Sequence, residues 1–414
     1  MGLRLSFGPA AVVAAAAAAM IGVSAVALRA GGGAAPSKDS HSSAELNAIF
    51  AAVTDANSPG LAVEVRSGGH TIFERGYGVR DLRSMAKIDA HTDFRLASFT
   101  KQFTAMAVML LVHDGKLRYD ETLTDIFPGF PAYGRVITIR HLLTHTSGLP
   151  DYEDLMDAAD KANGSPKWSA TKQIQDAEVL DLLEHASTPK FEAGTSWAYS
   201  NSAYVVLGLV VAKVSGEPFG QFLDQRIFKP LHMTHTLAYV NGKNTVPNRA
   251  YGYSKQNGVL TDTDQSSTSA TLGDGGVYSN LIDLAKWDDA LASYTLLSEK
   301  EMTPALEPVR LADGSPPLWP RQPDGDNLAP GKPVSYGFGW FLDPYNGYAR
   351  MWHTGSTSGF RTVIERFTKD DRLPGGRLTV IILANRTDLD PAELALKAAG
   401  AMAGFEVPTV PATK

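Results

Sequence analysis

The chain has 414 residues, 44% of them hydrophobic and 20% charged, with a formal net charge of −6. That length supports a substantial core in one large or two ordinary domains. So mild a negative charge gives no reason to expect nucleic acid or an anionic membrane surface as a partner. The absence of cysteine excludes disulfides, thiol catalysis, cysteine-ligated metal and a lipid-modified N-terminal cysteine.

Residues 1–36 read as a targeting segment plus linker. Arg4 is the only charged side chain ahead of an Ala-rich apolar run over 7–27, and Ala25-Val26-Ala27 offers a small-residue cleavage site. Gly31-Gly32-Gly33-Ala34-Ala35-Pro36 follows as a flexible stretch. The expectation is a cleaved signal peptide and a secreted or periplasmic protein. The run is also long enough to span a bilayer, so an uncleaved anchor on the outer face of the cytoplasmic membrane is the alternative.

Next comes a short helix over 43–54, then alternating, β-branched segments over 60–66 and 71–79 around Ser67-Gly68-Gly69-His70, a hairpin pattern. An apolar helix opens near Ser98, runs through 103–112 and stops at Asp114-Gly115. Residues 139–144, 173–186, 202–215 and 218–227 are helical. Residues 312–333 read as a long Pro-, Gly- and Asp-rich surface loop. Strand-like segments cover 336–342, 348–353, 363–368 and 378–384, and 391–403 forms the last helix. The order implies an α/β (α+β) fold: an antiparallel sheet built from 37–117 and 262–414, with a mainly helical region, 118–261, inserted.

The chemistry centres on Ser98-Phe99-Thr100-Lys101. A serine hydroxyl is a weak nucleophile at neutral pH and needs a base held against it. A lysine three residues along a helix shares its face. S-x-x-K also occurs at Ser84/Lys87 and Ser187/Lys190. The first lies in a polar loop-like run, and the second has Pro189 before its lysine, which argues against a helix interior. Only Ser98 opens an apolar helix, in whose first turn the dipole favours developing negative charge. Tyr199-Ser200-Asn201 precedes another apolar helix; there Tyr199 could exchange protons with Ser98, and Asn201 could hold Lys101 and a substrate amide. A second Y-x-N, Tyr278-Ser279-Asn280, reads as the cap of a helix over 281–287. His353-Thr354-Gly355-Ser356 ends a strand-like segment. Gly355 permits close backbone approach to a ligand, and the Ser356 N–H could donate to an oxyanion. His141 and His145 have zinc-pair spacing but lack the glutamate of H-E-x-x-H.

Together these segments resemble the serine β-lactamase and penicillin-binding-protein superfamily, whose signature is S-x-x-K, S-D-N and K-T-G. The Y-x-N form resembles the branch of class C β-lactamases, D-Ala-D-Ala carboxypeptidases and family VIII esterases. The run His141-Leu142-Leu143-Thr144-His145-Thr146-Ser147-Gly148-Leu149 is similar to that branch's H-L-L-x-H-T-S-G-L segment. Phe94-Arg95-Leu96-Ala97-Ser98, Gly275-Gly276-Val277 and Tyr336-Gly337-Phe338-Gly339-Trp340 match further landmarks. The resemblance implies that Ser98 is the acylated nucleophile and that Lys101 accepts its proton, alone or with Tyr199. Tyr199 then serves as acid for the leaving group and helps activate the deacylating water. Asn201 orients the site, the N–H groups of Ser98 and Ser356 form the oxyanion hole, and Thr354 and Gly355 line the substrate strand. His353 departs from K-T-G: a mostly neutral histidine suits a substrate carboxylate less than lysine does. It argues against an efficient β-lactamase and leaves peptidase and esterase open. The expectation is a secreted serine hydrolase without cofactor or metal, acting on a small-molecule or peptide substrate. A D-Ala-D-Ala carboxypeptidase-like peptidase leads. A short-chain carboxylesterase, a weak class C-type β-lactamase and a non-catalytic penicillin-binding or wall-sensing protein are the alternatives.

Overall fold

A computed structural model describes residues 38–320 and 331–407. The targeting segment lies outside these residues, as does part of the expected 312–333 loop. The elements that place the site are α1 (Lys38–Ala51), β1 (Leu61–Ser67), β2 (His70–Tyr77), α2 (Lys101–His113), α3 (Tyr152–Asn163), α4 (Asp176–His185), α5 (Asn201–Ser215), α6 (Leu281–Ala292), β3 (Arg350–Thr357), β4 (Phe360–Phe367), β5 (Leu378–Ala384) and α7 (Pro391–Ala403). The main sheet has the order β3-β4-β5-β1-β2 and is antiparallel throughout. N-terminal and C-terminal strands meet where Leu61 pairs with Ala384 and Val63 with Ile382. The sheet is thus the expected antiparallel one built from both ends of the chain, with helices between.

Strand periodicity sends alternate residues to opposite faces. Leu61, Val63, Val65, Val380 and Ile382 join a core with Leu46, Phe50, Leu394 and Ala398, beneath α1 and α7. Ala62, Ile381, Leu383 and Ile364 join a second core with Phe99, Phe103 and Trp287, which continues into the helical region. Both faces are covered, which is why β5 reads Leu-Thr-Val-Ile-Ile-Leu-Ala without polar alternation. α2 is buried nearly all round, packed against α5 and, through Phe103, against Phe228 and Trp287.

Polar side chains on the second face fasten α6 to the sheet. Asp288 of α6 accepts from Arg66 Nε (3.1 Å), Arg366 Nε (2.7 Å) and Thr379 Oγ1 (2.9 Å). Arg66 also reaches Glu64 at 3.0 Å. Burial pushes the Asp288 carboxyl up, but the charges of Arg366, Arg377 and Arg66 outweigh it and hold the group below its ordinary range.

Three expectations need correction. Residues 336–342 are not a strand: the chain reverses there, with Gly337 N donating to Trp340 O (2.8 Å) and Gly339 at φ +77. Isolated bridges from Tyr336 to Phe341 and from Phe341 to Trp352 of β3 remain. The strand expected over 348–353 begins at Arg350 and continues to Thr357, so His353-Thr354-Gly355-Ser356 lies inside a strand rather than at its end. The helix expected over 218–227 runs only Phe219–Leu223 before widening into a π turn, Asp224–Phe228.

Removing a partner from a buried ion cluster strands the remaining charges. Asp288→Ala should lower unfolding free energy by ~3–5 kcal/mol in urea titrations. Because the folded carboxyl titrates lower than the unfolded one, its contribution is present above about pH 4 and lost as pH falls. The stability gap between wild type and Asp288→Ala should therefore narrow on acidification.

Candidate active site

Ser98, the expected nucleophile, sits on a strained turn. Ala97–Thr100 forms a 3₁₀ turn that runs directly into α2, and Ala97 adopts φ +50, a left-handed conformation that a non-glycine residue enters at a cost. Ser98 is thus one turn ahead of α2 rather than inside it. The surroundings hold this turn. Leu96 N donates to Val277 O (2.9 Å), Val277 N donates to Thr100 Oγ1 (3.2 Å), and Thr362 Oγ1 of β4 donates to Leu96 O (2.8 Å). Arg95 pairs with Tyr278 in a small three-stranded sheet.

Lys101, the first residue of α2, is fully buried. Its Nζ contacts Ser98 Oγ (3.0 Å), Asn201 Oδ1 (2.9 Å) and the Asp274 carbonyl oxygen (2.9 Å). Burial pulls the amine down to about 8, more than the charges of Asp274, Asp151 and Glu153 restore. Asn201 reaches Lys101 because it is not the cap of α5. Ser200 is, its Oγ accepting from Ala203 N at 3.1 Å. The aromatic ring of Tyr199 lies 4.9 Å from Lys101 Nζ. Burial raises the Tyr199 phenol well above 10. The nearby Ser98 hydroxyl opposes that rise weakly, and the two make no well-formed hydrogen bond.

The other S-x-x-K and Y-x-N copies are not assembled this way. Ser84 Oγ contacts Asp81 Oδ2 (3.3 Å), and Lys87 Nζ contacts Asn57 Oδ1 (3.2 Å). Lys190 pairs with Asp154 at 3.3 Å. The Tyr278 hydroxyl accepts from Arg249 Nη2 (3.1 Å), and Asn280 caps α6. His141 Nδ1 accepts from Thr138 N (3.2 Å) in a capping box, a structural task.

On β3, alternation separates the motif residues. Ser356 is exposed and Thr354 half-buried on one face, whereas His353 is 1% exposed on the other. His353 Nε2 lies 3.2 Å from Tyr336 Oη and Nδ1 lies 2.6 Å from Thr354 O. Burial, with a smaller effect of the Lys101 charge, lowers it to about 3, so the ring is neutral. His353, expected to contact substrate, is buried on the face towards Lys101, its ring 6.0 Å from that of Tyr199 and both nitrogens engaged. Gly355 meets the nucleophile turn: a Cβ there would collide with Leu96 O and Thr362 Oγ1.

The sequence pattern of the beta-lactamase family matches residues 46–403. The chain belongs to that family. It is a penicillin-binding-like serine hydrolase, as its motifs imply. It is 30% identical over 388 residues to penicillin-binding protein 4* of Bacillus subtilis (strain 168), an alignment covering 89% of this chain and 78% of that one. Its fold is similar to the octameric penicillin-binding protein homologue of Pyrococcus abyssi, with TM-score 0.69, 22% identity, and 89% and 77% of the two chains covered. It is similar also to the D-amino acid amidase of Ochrobactrum anthropi SV3 (TM-score 0.66, 24% identity, 88% and 95% covered).

Sequence reasoning missed the Asp274 carbonyl, which has no side-chain signature. It gave no role to Tyr204 and Tyr336, whose rings pack around His145 beside Tyr199. The Tyr336-Gly337-Phe338-Gly339-Trp340 landmark was the available signal for the second. Gly355→Ala should force β3 away from the Ser98 turn. We expect kcat/KM to fall by on the order of 100-fold while the melting temperature changes little, because displacement of about an ångström suffices for that loss.

Proposed function

We propose that this protein is an acyl-enzyme hydrolase of D-alanyl-type peptides, with Ser98 as nucleophile and Lys101 as base. The observation that carries the reading is the buried Lys101 amine, 3.0 Å from Ser98 Oγ and depressed to about 8. As the neutral amine it takes the Ser98 proton while Oγ attacks the acyl carbon. Tyr199, kept protonated by burial, donates to the departing amine and is reprotonated from Lys101. Water then releases the acyl group by the reverse proton movements. The N–H groups of Ser98 and Ser356 serve the oxyanion. Thr354 and Ser356 offer two hydroxyls on the open face of an edge strand, where an extended peptide has unpaired backbone to meet. The penicillin-binding relative supports β-lactams as mimics of that peptide. Export through the N-terminal segment belongs to the same reading and places the enzyme among wall peptides.

His353 supports a second reading, short-chain ester hydrolysis, because a buried neutral ring supplies no cation for a substrate carboxylate. Rates on a D-Ala-D-Ala peptide, p-nitrophenyl esters and nitrocefin separate the two. Labelled penicillin should add its mass to the Ser98 peptide, and Ser98→Ala should abolish both adduct and turnover. An unlabelled Ser98 in active enzyme would refute the reading. Since only the neutral amine accepts a proton, acylation should rise with pH and level off above about 8. Lys101→Arg, which stays charged, should lose this limb together with nearly all activity.

A further inference from the structure

Tyr199 is not held by its own hydroxyl, which has no well-formed hydrogen bond among the described residues. Its position must come from its backbone and its ring face, and His145 meets both, with the ring also flanked by Trp197 and His353 at centroid distances of 6.5 and 6.0 Å. His145 O accepts from Ala198 N (3.1 Å) and His145 Nδ1 accepts from Ser200 N (3.1 Å), so the two contacts bracket Tyr199. The imidazole lies against the phenol ring, centroids 4.4 Å apart and planes 35° apart. Trp197, Tyr204 and Tyr336 pack around the same imidazole at 5.8, 5.1 and 4.7 Å.

Two costs mark His145 as more than filler. It is fully buried at φ +60, the left-handed region. With Nδ1 accepting, the neutral ring has its proton on Nε2, and Nε2 has no partner among the described residues. A side chain needed for packing alone would carry neither cost. Strain and an unsatisfied donor beside a reacting group are features of functional sites. Burial, with Lys101 and His353 adding to it, keeps the ring neutral, so its role does not depend on titration in the assay range.

Resting on the roles given above to Ser98, Lys101 and Tyr199, we propose that His145 is the positioning residue of Tyr199. It fixes the backbone on both sides of the phenol and supports its ring, so that the hydroxyl faces the Ser98–Lys101 pair. It does not touch the reacting atoms.

A double-mutant cycle tests this. His145→Ala in the wild-type background should lower kcat on the order of 10–100-fold with KM little changed. In the Tyr199→Phe background, which lacks the positioned hydroxyl, the same substitution should cost less than about 3-fold. His145→Asn, which tolerates the left-handed backbone and keeps an acceptor for Ser200 N, should restore the melting temperature and part of kcat; it is the variant to read if His145→Ala does not fold. Equal losses in both backgrounds, or full kcat in His145→Ala, would overturn the positioning role while leaving Ser98 and Lys101 in place. A fully active Tyr199→Phe would instead refute the role given to Tyr199, and the positioning role with it. An active Ser98→Ala would refute the acyl-enzyme reading itself.

Discussion

Burial of the Lys101 amine is the interaction on which the rest of the site depends. Three distant pieces of chain meet at its nitrogen: the Ser98 turn, the start of α5 through Asn201, and the loop at Asp274. All three offer neutral oxygens. The Asp274 carboxylate is turned away, with Oδ2 3.5 Å from the Tyr152 hydroxyl, and only its carbonyl reaches the amine. A carboxylate in direct contact would have held the ammonium firmly charged. Neutral partners satisfy the donors, and the charges of Asp274, Asp151 and Glu153 restore less than burial removes, a balance that suits the residue to the base role proposed for it.

The same economy explains how β3 is arranged. Gly355 lets the strand lie against Leu96, while the two-residue period places Thr354 and Ser356 outward and His353 inward. The inward place adjoins Lys101, whose charge is among the causes that lower His353. A permanent cation there would add its charge to that of Lys101. A neutral histidine bonded to Tyr336 does not, so its presence is compatible with the proposed acyl-enzyme chemistry.

Local signals were strong enough to read much of this from sequence. The β1–β2 hairpin follows from alternation around Gly68-Gly69. The last helix follows from Asp390, whose carboxylate caps it, and Gly404 at φ +75. The choice of Ser98 over Ser84 and Ser187 followed from helix context alone. What was not legible depends on contacts between distant segments. Residues 336–342 carry strand-forming side chains, yet tertiary packing turns the chain, since a Cβ on Gly337 would strike Ala305 O. Asn201 reaches Lys101 as expected, and it is free to do so because Ser200 before it caps the helix, which the sequence alone does not show. The burial of His353 and its bond to Tyr336 were not legible either, because sequence shows a residue's place in a motif but not which face of the strand it occupies.

The distribution of strain completes the argument. Ala97 and His145 have left-handed backbones, and Tyr199 Oη, His145 Nε2, Trp197 Nε1 and Asp274 Oδ1 are buried without partners among the described residues. Of these, the Ser98 turn that follows Ala97, the Tyr199 ring and the Asp274 carbonyl adjoin the Lys101 amine. A fold can keep such a concentration of unfavourable groups only if the surrounding elements leave them no room to relax. The sheet, packed on both faces and tied to α6 through Asp288, supplies that rigidity on one side. α5, capped by Ser200 and closed by Gly216 at φ +77, supplies it on the other. Moving Lys101 out of its neutral cage would return its amine toward the ordinary lysine range and take away the base that the acyl-enzyme reading requires.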